Sequence, residues 1–523
     1  MRRVLATAIV AVSIVAGAIV SAQDGLDPAR LVAPLGESWP TFNGDYSGRR
    51  YSALARITEA NVKALSLAWL YALPSNGGAP VKSTPLMIDG VLYFSTPDHA
   101  YAVDARTGRQ LWHYAWPSKG GNHLGNRGLG ALGDTLFMET PDCHLVAIDL
   151  RDGTKKWERA ICDMNRFYYA SVAPVIVKNQ VIVGVSGDDM DNPGYLQAHD
   201  PVTGEMKWRW YVVPQNPGDP GADTWPNIEV ARHGGGMTWT PVTYDPDLNL
   251  IFVTTGNPQP VIAHANRAGA NLFTGSIVAL DADTGRMAWY FQSSPHDTHD
   301  WDSTQAAVVF DAPFGGQPRK LIAQAARNGH FFVLDRTNGK ALVSRAFQRT
   351  NWSSGYDAAG QPIPNPAKMP QVAGVLVSPN QGGATNWQSP SFSPRTGLFY
   401  VSSSRAYSVY YLYDPSDNPA GWGGTDRGGY AETALQAIDY RTGEIRWSHP
   451  WKSGGMTGVL STAGNVLFTG GSGGLEALEA TTGEALWHTR IGQVTNAPIT
   501  FELDGFQYVV VASGGTLFAF VLN

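Results

Sequence analysis

The sequence predicts an all-β fold, an eight-bladed β-propeller with tryptophan-docking blade motifs. Three observations support this: a short phrase recurs along the chain, β-rich runs precede its copies, and turn residues are abundant. The phrase is an apolar residue, then Asp, with Gly four positions after the Asp and usually Trp four positions after the Gly. Full copies occupy Val103–Trp112, Ile148–Trp157, His199–Trp208, Leu280–Trp289 and Ile438–Trp447, and weaker copies begin at Leu334 and Leu478. Such recurrence is typical of a ring or stack of repeated supersecondary units.

Each copy of the phrase predicts a β-hairpin. In the first copy, Val103 ends a strand, the Asp104 carboxylate can cap the backbone N–H groups of a turn, and Gly108 suits a position with positive φ. Trp112 then lies in the return strand. A large indole at the same place in successive units indicates packing between neighbouring units.

Two β-rich runs around a polar turn precede the phrases, as in Pro85–Thr96 and Pro174–Val185. Together with the hairpin they give four strands per unit, which is the pattern of a propeller blade. The longest gap between phrases, from Asp335 to Asp439, predicts a hidden blade around Phe392–Ser403. Seven phrases and one hidden blade make eight blades.

The C-terminal strand Thr516–Val521 is expected to pair with an N-terminal strand and so close the ring. A solenoid is the alternative architecture, but it would expose two sheet edges. One large propeller accounts for the length of 523 residues, so residues 23–523 are predicted to form a single domain. With 58 Gly, 17 Trp, 16% charged residues and a net charge of −6, the chain lacks the basic footprint of a nucleic-acid-binding protein.

Residues 1–22 are predicted to be a signal peptide. Arg2 and Arg3 form a positive start, Val4–Val20 is apolar, and Ser21-Ala22 fits cleavage after small residues. The mature protein is therefore expected in the periplasm, with no membrane span after cleavage. An uncleaved membrane anchor is the alternative interpretation.

The two cysteines, Cys143 and Cys162, are a plausible disulfide in an oxidising compartment, with two buried thiols as the alternative. The sequence contains no Cys-x-x-Cys-His motif, so we expect no c-type haem on this chain.

The chain resembles the quinoprotein alcohol dehydrogenases, eight-bladed propellers that use pyrroloquinoline quinone (PQQ) and a metal ion. The resemblance begins at Trp39–Trp69, ends at Ile499–Gly515 and covers essentially the whole mature chain. Because non-enzymatic propellers carry similar tryptophan phrases, the phrases indicate the fold and not the chemistry.

The chemistry that the resemblance implies lies in segments that interrupt the repeats. Pro295–Asp302 holds three acidic residues and two histidines, and it resembles the family's catalytic loop with Asp300 at the general-base position. Asn257 matches the family's amide ligand to the metal. Asp189 stands where the family usually has a chelating Glu, although Asp188 could take this role instead. Solvated loops and turn caps are the structural alternatives for these residues.

The same resemblance implies a cofactor pocket. Trp239 follows three glycines and would lie flat under the quinone, and Arg327 would bind near the reactive quinone oxygens and stabilise charge there. The remaining predicted cofactor-binding residues, which match the family's polar rim and contact segments, are Arg127, Ser171, Ser186, Gly187, Asn386 and Trp387. Core packing and surface salt bridges are the structural alternatives for the tryptophans and arginines.

Besides Asp189, two departures from the family pattern bear on the site, and Asp302 bears on the choice of metal. Gly121-Asn122 stands where many relatives have adjacent cysteines, and Lys82 stands where several have Glu. Asp302 follows Asp300 by two residues, and in the family an acidic residue there accompanies lanthanide use. The predicted metal ligands are Asp189, Asn257, Asp300 and Asp302, and a lanthanide(III) ion is preferred over Ca²⁺.

The predicted function is oxidation of a primary or secondary alcohol by hydride transfer to PQQ, with Asp300 and Arg327 as catalytic residues. The electrons would pass to a separate cytochrome c, and a second copy of the chain is a further candidate partner in a homodimer. The stretch Arg405–Tyr430 is a candidate lid. Two alternatives are a non-catalytic scaffold propeller, as in envelope assembly, and a sensor that binds quinone without turnover.

Overall fold

The computed structural model describes residues 26–74, 79–121, 125–187, 191–413, 422–452, 455–471 and 473–522. The regular secondary structure of these residues is mainly β-strand, with one short α-helix, α1 (Ile228–Ala231). The strands of the first half are β1 (Tyr51–Ser52), β2 (Leu65–Ala72), β3 (Leu86–Ile88), β4 (Val91–Thr96), β5 (His99–Asp104), β6 (Gln110–Ala115), β7 (Gly130–Leu132), β8 (Thr135–Thr140), β9 (His144–Asp149), β10 (Lys155–Ala160), β11 (Val175–Ile176), β12 (Val181–Val183), β13 (Tyr195–His199), β14 (Met206–Tyr211), β15 (Thr243–Asp245), β16 (Leu250–Thr254), β17 (Ser276–Asp281) and β18 (Met287–Gln292).

The strands of the second half are β19 (Val308–Phe314), β20 (Gln317–Ala325), β21 (His330–Asp335), β22 (Lys340–Ala346), β23 (Ser353–Tyr356), β24 (Pro362–Pro364), β25 (Val375–Val377), β26 (Ser391–Ser393), β27 (Leu398–Leu412), β28 (Gly424–Asp439), β29 (Ile445–Pro450), β30 (Val459–Thr462), β31 (Val466–Gly471), β32 (Gly474–Glu479), β33 (Ala485–Thr489), β34 (Ile499–Leu503), β35 (Phe506–Ser513) and β36 (Thr516–Leu522). Short 3₁₀ turns occupy Pro28–Leu31, Val62–Ala64, Met164–Arg166, Ala222–Thr224, Ala265–Arg267 and Pro366–Lys368.

The strands form an all-β propeller. Sequential antiparallel strands make up the sheets β3–β6, β7–β10, β11–β14, β15–β18 and β19–β22. The next sheets join β25 and β27–β29, with β26 paired to β27, and then β30–β33, with β1 parallel to β30. The last sheet has the order β2-β36-β35-β34, and β23 and β24 form a separate pair.

The repeated phrase is the hairpin between the last two strands of a sheet. The Asp104 carboxylate accepts hydrogen bonds from the N–H groups of Arg106 and Thr107, each at 3.0 Å, and Gly108 has a φ of 72°. β5 and β6 pair on either side of this turn. The hairpin predicted from the phrase is therefore confirmed.

Trp112, the tryptophan of the first phrase, lies against the turn of the second phrase in the next sheet. The Trp112 indole donates a hydrogen bond to Leu150 O at 3.1 Å, and the position of a Cβ on Gly153 would be 2.7 Å from the indole ring. Glycine at position 153 therefore leaves space for Trp112, and its φ of 77° favours glycine independently.

The last sheet joins a late strand to an early one, as predicted, but the predicted hidden blade is absent from the described residues. β36 pairs antiparallel with β2, so a late strand joins an early one. The segment Phe392–Ser403 belongs to the same sheet as the phrase at Ile438–Trp447, because β27 pairs with β28. Predicting a separate blade there was wrong: the gap is long because β27 and β28 have 15 and 16 residues and because the β23–β24 hairpin precedes them. The sheet without a phrase is the closing one.

The predicted disulfide is present: Cys143 and Cys162 are joined with an S–S distance of 2.03 Å. Neither α1 nor any other helix in the described part of the chain has the length and apolar content needed to cross a membrane. The predicted signal peptide, residues 1–22, lies outside the described residues.

Candidate active site

A cavity of about 300 Å³ opens at one end of the sheets. Nine predicted site residues line it: Arg127, Ser171, Ser186, Trp239, Asp300, Asp302, Arg327, Asn386 and Trp387. Many of them lie just before the first strand of a sheet or just after the second, as Ser171 precedes β11 and Arg327 follows β20. Because these two strands are antiparallel, such positions meet at the same end of the sheet.

Arg327 joins two carboxylates at the floor of the cavity. Its guanidinium donates to Asp302 Oδ2 at 2.6 Å and to Asp300 Oδ2 at 2.8 Å, and all three side chains are buried. Burial alone would lower the pKa of Arg327, but the two carboxylates more than offset it and raise the pKa. The cluster therefore holds one cation between two acids.

The loop Pro295–Asp302 is built around a buried carboxylate that does not line the cavity. Asp297 accepts hydrogen bonds from the N–H groups of His299, at 2.9 Å, and Trp301, at 2.6 Å. Burial raises the pKa of Asp297, against the pull of those N–H groups. Asp300 follows with a φ of 66°, a left-handed conformation that non-glycine residues rarely adopt and that often marks a functional position.

Asn257 is not among the residues that line the cavity, but it contacts Asp302, which is. Its N–H donates to Asp302 Oδ1 at 2.8 Å, and its side-chain Nδ2 donates to Pro258 O at 3.0 Å. The side-chain oxygen Oδ1 is buried and has no hydrogen-bond partner among the described residues. A buried amide oxygen without a partner costs free energy, which a bound cation would recover.

Arg127 lies against two aromatic rings that also line the cavity. Its guanidinium carbon is 4.6 Å from the Trp239 ring centroid and 5.6 Å from that of Trp387. Arg127 also donates to Ser171 Oγ at 2.8 Å, and Ser171 Oγ is 3.5 Å from Ser186 Oγ. This corner combines flat apolar surfaces with a cation and two hydroxyls.

Not all of the remaining predicted site residues line the cavity. Gly187 does not line the cavity, and a Cβ there would be 3.1 Å from Phe167 O. Asn386 lines the cavity, and its side-chain oxygen accepts the Trp387 N–H at 2.9 Å. Asp189 and the alternative Asp188 lie outside the described residues, as does Asn122.

Several lining residues were absent from the predicted set. Gln381 donates from Nε2 to Asp300 Oδ2 at 2.7 Å, and its carbonyl accepts from the Arg327 guanidinium at 2.8 Å. Tyr169 and Trp422 also line the cavity, and Trp422 comes from the candidate lid stretch. A glutamine before Gly-Gly gives no sequence signal of such a role.

Lys82, noted as a departure from the resembling family, also lines the cavity. Burial, and to a smaller extent Arg127, lowers the pKa of Lys82. Within the described ranges no three His, Cys, Asp or Glu side chains form a group able to hold a metal ion. Among the predicted metal ligands that the structure describes, the oxygen donors are the carboxylates of Asp300 and Asp302 and the amide oxygen of Asn257.

Comparison with known proteins gives the family. The profile described as "Glucose/ethanol/alcohol dehydrogenase, beta-propeller domain" of the PQQ family matches residues 39–373. The quinohemoprotein alcohol dehydrogenase of Comamonas testosteroni is 38% identical over 95% of this chain and 75% of its own length. The chain belongs to the PQQ-dependent alcohol dehydrogenase family.

Other relatives of this PQQ-dependent alcohol dehydrogenase support the same family assignment. The quinoprotein alcohol dehydrogenase PedH of Pseudomonas putida is 36% identical over 89% of this chain and 84% of its own length. The solved europium-containing methanol dehydrogenase superposes with a TM-score of 0.84 at 27% identity, covering 93% of this chain and 98% of its own. A profile for the outer membrane protein assembly factor BamB matches residues 431–521, a region that holds none of the predicted site residues.

Proposed function

We propose that the cavity binds PQQ and one metal ion and that the protein oxidises primary or secondary alcohols there. The observation that carries this proposal is the buried Asp302–Arg327–Asp300 cluster in the cavity, together with the unpartnered Oδ1 of Asn257, whose backbone N–H bonds to Asp302. Two carboxylates against one guanidinium leave a net negative charge, which suits a hard cation with oxygen ligands.

The residues present fit the two groups. Trp239 supplies a flat surface, and Arg127, Ser171 and Ser186 supply a cation and hydroxyls for carboxylates of the cofactor. Gly187, Asn386 and Trp387 complete the proposed rim, and Arg327 is proposed to lie beside the quinone oxygens. This combination of aromatic faces and anion-binding groups is what a planar tricarboxylate requires.

The proposed metal ligands are Asp189, Asn257, Asp300 and Asp302. Asp302 keeps a lone pair on each oxygen after its bonds to Asn257 N–H and Arg327, so it can still face a cation. An extra carboxylate favours a trivalent ion, and we therefore propose a lanthanide(III) ion ahead of Ca²⁺.

In the proposed reaction Asp300 accepts the proton of the alcohol hydroxyl. Gln381 and Arg327 both bond to Asp300 Oδ2 and hold the carboxylate in one orientation. PQQ, when bound, supplies the hydride acceptor, and the metal polarises the reacting oxygen. Arg327 adds a fixed positive charge where negative charge develops.

We also propose the domain organisation, location and partners of the enzyme. Residues 1–22 are proposed as a signal peptide and residues 23–523 as one eight-bladed propeller domain with tryptophan-docking motifs in the periplasm. The eight sheets of four or five strands found among the described residues support the blade number. A separate cytochrome c is the proposed electron acceptor, and a homodimer is a further proposed assembly.

The test is reconstitution of the purified protein with PQQ and either La³⁺ or Ca²⁺, followed by dye reduction with a panel of alcohols. We expect turnover only when both PQQ and a metal are present. No absorption of a bound cofactor would instead indicate a scaffold, and binding without turnover a sensor.

A further inference from the structure

One register position of the propeller carries a glutamate in a single sheet. The position is defined by strand pairing: it is the residue of the second strand that lies opposite a given residue of the third strand. In one sheet Glu139 lies opposite Leu145, and the same pairing is present in five other sheets. The equivalent residues in the other five are all small: Ser95, Thr254, Ala325, Ser402 and Gly470. Glu139 is the ionisable exception in this comparison.

Glu139 is completely buried, with 0% of its surface exposed. Its Oε2 accepts the Val172 N–H at 2.7 Å, and its main-chain carbonyl accepts Asn126 Nδ2 at 2.8 Å. Its Oε1 has no hydrogen-bond partner in the described part of the chain. A buried carboxyl oxygen without a donor is costly when the group is ionised and much less so when it is protonated.

The two segments that Glu139 contacts carry the anion-binding corner of the cavity. Asn126 precedes Arg127, and Val172 follows Ser171. Arg127 N–H donates to Ser171 O at 3.0 Å, and the Arg127 guanidinium bonds to Ser171 Oγ at 2.8 Å. Glu139 therefore links the chain segments on which these two groups sit.

The charge of Glu139 is controlled by this environment. Burial raises the pKa of Glu139 to about 8, while the backbone groups of Val172, Gly184 and Ser171 and the charge of Arg127 act in the opposite direction. Arg127 is the charged side chain whose field acts on Glu139, and Lys82 acts on Arg127 from the cavity side. The raised pKa favours the neutral carboxyl near pH 7, and a neutral carboxyl does not compete with an anion for the charge of Arg127.

We propose that Glu139 is a positioning residue that makes binding of the anionic cofactor depend on pH. Protonated, it supports the Arg127–Ser171 corner without competing for the guanidinium. Ionised, it competes for Arg127 and repels the carboxylates of the cofactor. This inference rests on the proposed binding of PQQ in the cavity.

The experiment measures the dissociation constant of PQQ between pH 6 and pH 10 by quenching of tryptophan fluorescence. The variants are Glu139→Gln, which keeps the shape and an acceptor for Val172 N–H, and Glu205→Gln at an exposed turn as the matched control. For the wild type and the control, we expect the dissociation constant to rise about tenfold per pH unit above pH 8. For Glu139→Gln we expect a much shallower rise, because the side chain at position 139 no longer ionises in this range.

A second variant, Glu139→Ser, places at this position the residue found at positions 95 and 402, and it should also give the shallow profile. Circular dichroism reports whether each variant folds. If Glu139→Gln and Glu139→Ser retain the steep alkaline loss, the inference about Glu139 is overturned. If the wild type binds no PQQ at any pH, the proposed function itself fails.

Discussion

Asn257 holds Asp302 through its backbone while its own side chain stays available. The Asn257 N–H donates to Asp302 Oδ1 at 2.8 Å, and the Asn257 amide oxygen has no partner among the described residues. One residue thus fixes the orientation of a neighbouring carboxylate and adds a second oxygen beside it. Contacts that orient a metal ligand in this way raise the affinity for the metal, in addition to the contribution of the ligands themselves.

Asn257→Ala should weaken metal binding, because the backbone contact to Asp302 remains but the amide oxygen is lost. Loss of an outer contact already costs 10–100-fold in metal affinity, so we expect at least about a tenfold loss here. Titration with Tb³⁺, followed by luminescence sensitised by nearby tryptophan, measures it. Asn338→Ala, at an exposed turn, is the control, and equal affinity in both variants would argue against a ligand role for Asn257.

Asp302→Ala should separate the two candidate metals. The variant removes one carboxylate, so activity with La³⁺ should fall strongly while activity with Ca²⁺ falls less. Dye reduction at saturating concentrations of each metal gives the ratio. Unchanged activity with La³⁺ would show that Asp302 is not the basis of lanthanide use.

Asp300→Asn should remove the proposed general base with little change in shape. We expect kcat to fall by about 10²- to 10⁴-fold, the usual contribution of a positioned base. Binding of PQQ, measured by fluorescence quenching, should persist. A variant with wild-type kcat would rule out Asp300 as the base.

Gln381→Leu tests the positioning of Asp300, because the variant removes the 2.7 Å bond from Gln381 Nε2 but keeps the Gln381 carbonyl bonds to Arg327. We expect kcat to fall on the order of tenfold with a small change in KM, since a misplaced base slows the chemical step. The pH profile of kcat should also shift, which a purely structural loss would not produce. An unchanged profile would contradict the positioning role.

Glu139→Gln should also change how stability depends on pH. The folded protein holds the Glu139 proton up to about pH 8, whereas the unfolded chain releases it near 4.5. The wild type therefore loses stability as the pH rises through this window, by a few kcal/mol in all, and the variant lacks this loss. Melting temperatures at pH 6 and pH 9 measure the difference, with Glu205→Gln as the control; equal shifts in the two variants would contradict it.

The sequence predicts most of the fold because the phrase encodes its hairpin locally. Asp104 and Gly108 determine one turn by capping and positive φ, and the same chemistry recurs in each copy. The error at Phe392–Ser403 arose because strand length is set by pairing partners. β27 and β28 extend far beyond the phrase, and no local signal marks that extension.

Local sequence also suggests some residues of the proposed site, but not others. Asp300 stands in a segment that interrupts the repeats, and both Asp300 and Arg327 match the pattern of the resembling family, so the sequence alone makes them candidates. Gln381 bonds to Asp300 although the two residues are 81 positions apart in sequence. Glu139 can be compared with its equivalents in other sheets only when the strand register is known. Such relationships depend on tertiary pairing and leave no pattern in the chain itself.

The pairing of β2 with β36 has a consequence for how the molecule is made. Leu65 lies opposite Leu522, so the last sheet cannot form until nearly all of the described chain has been synthesised. Contacts between such distant segments fold slowly, and until then β2 and β35 each have an unpaired edge. Closure of the ring therefore comes late in synthesis, because β2 lacks its partner strand until β36 has been made.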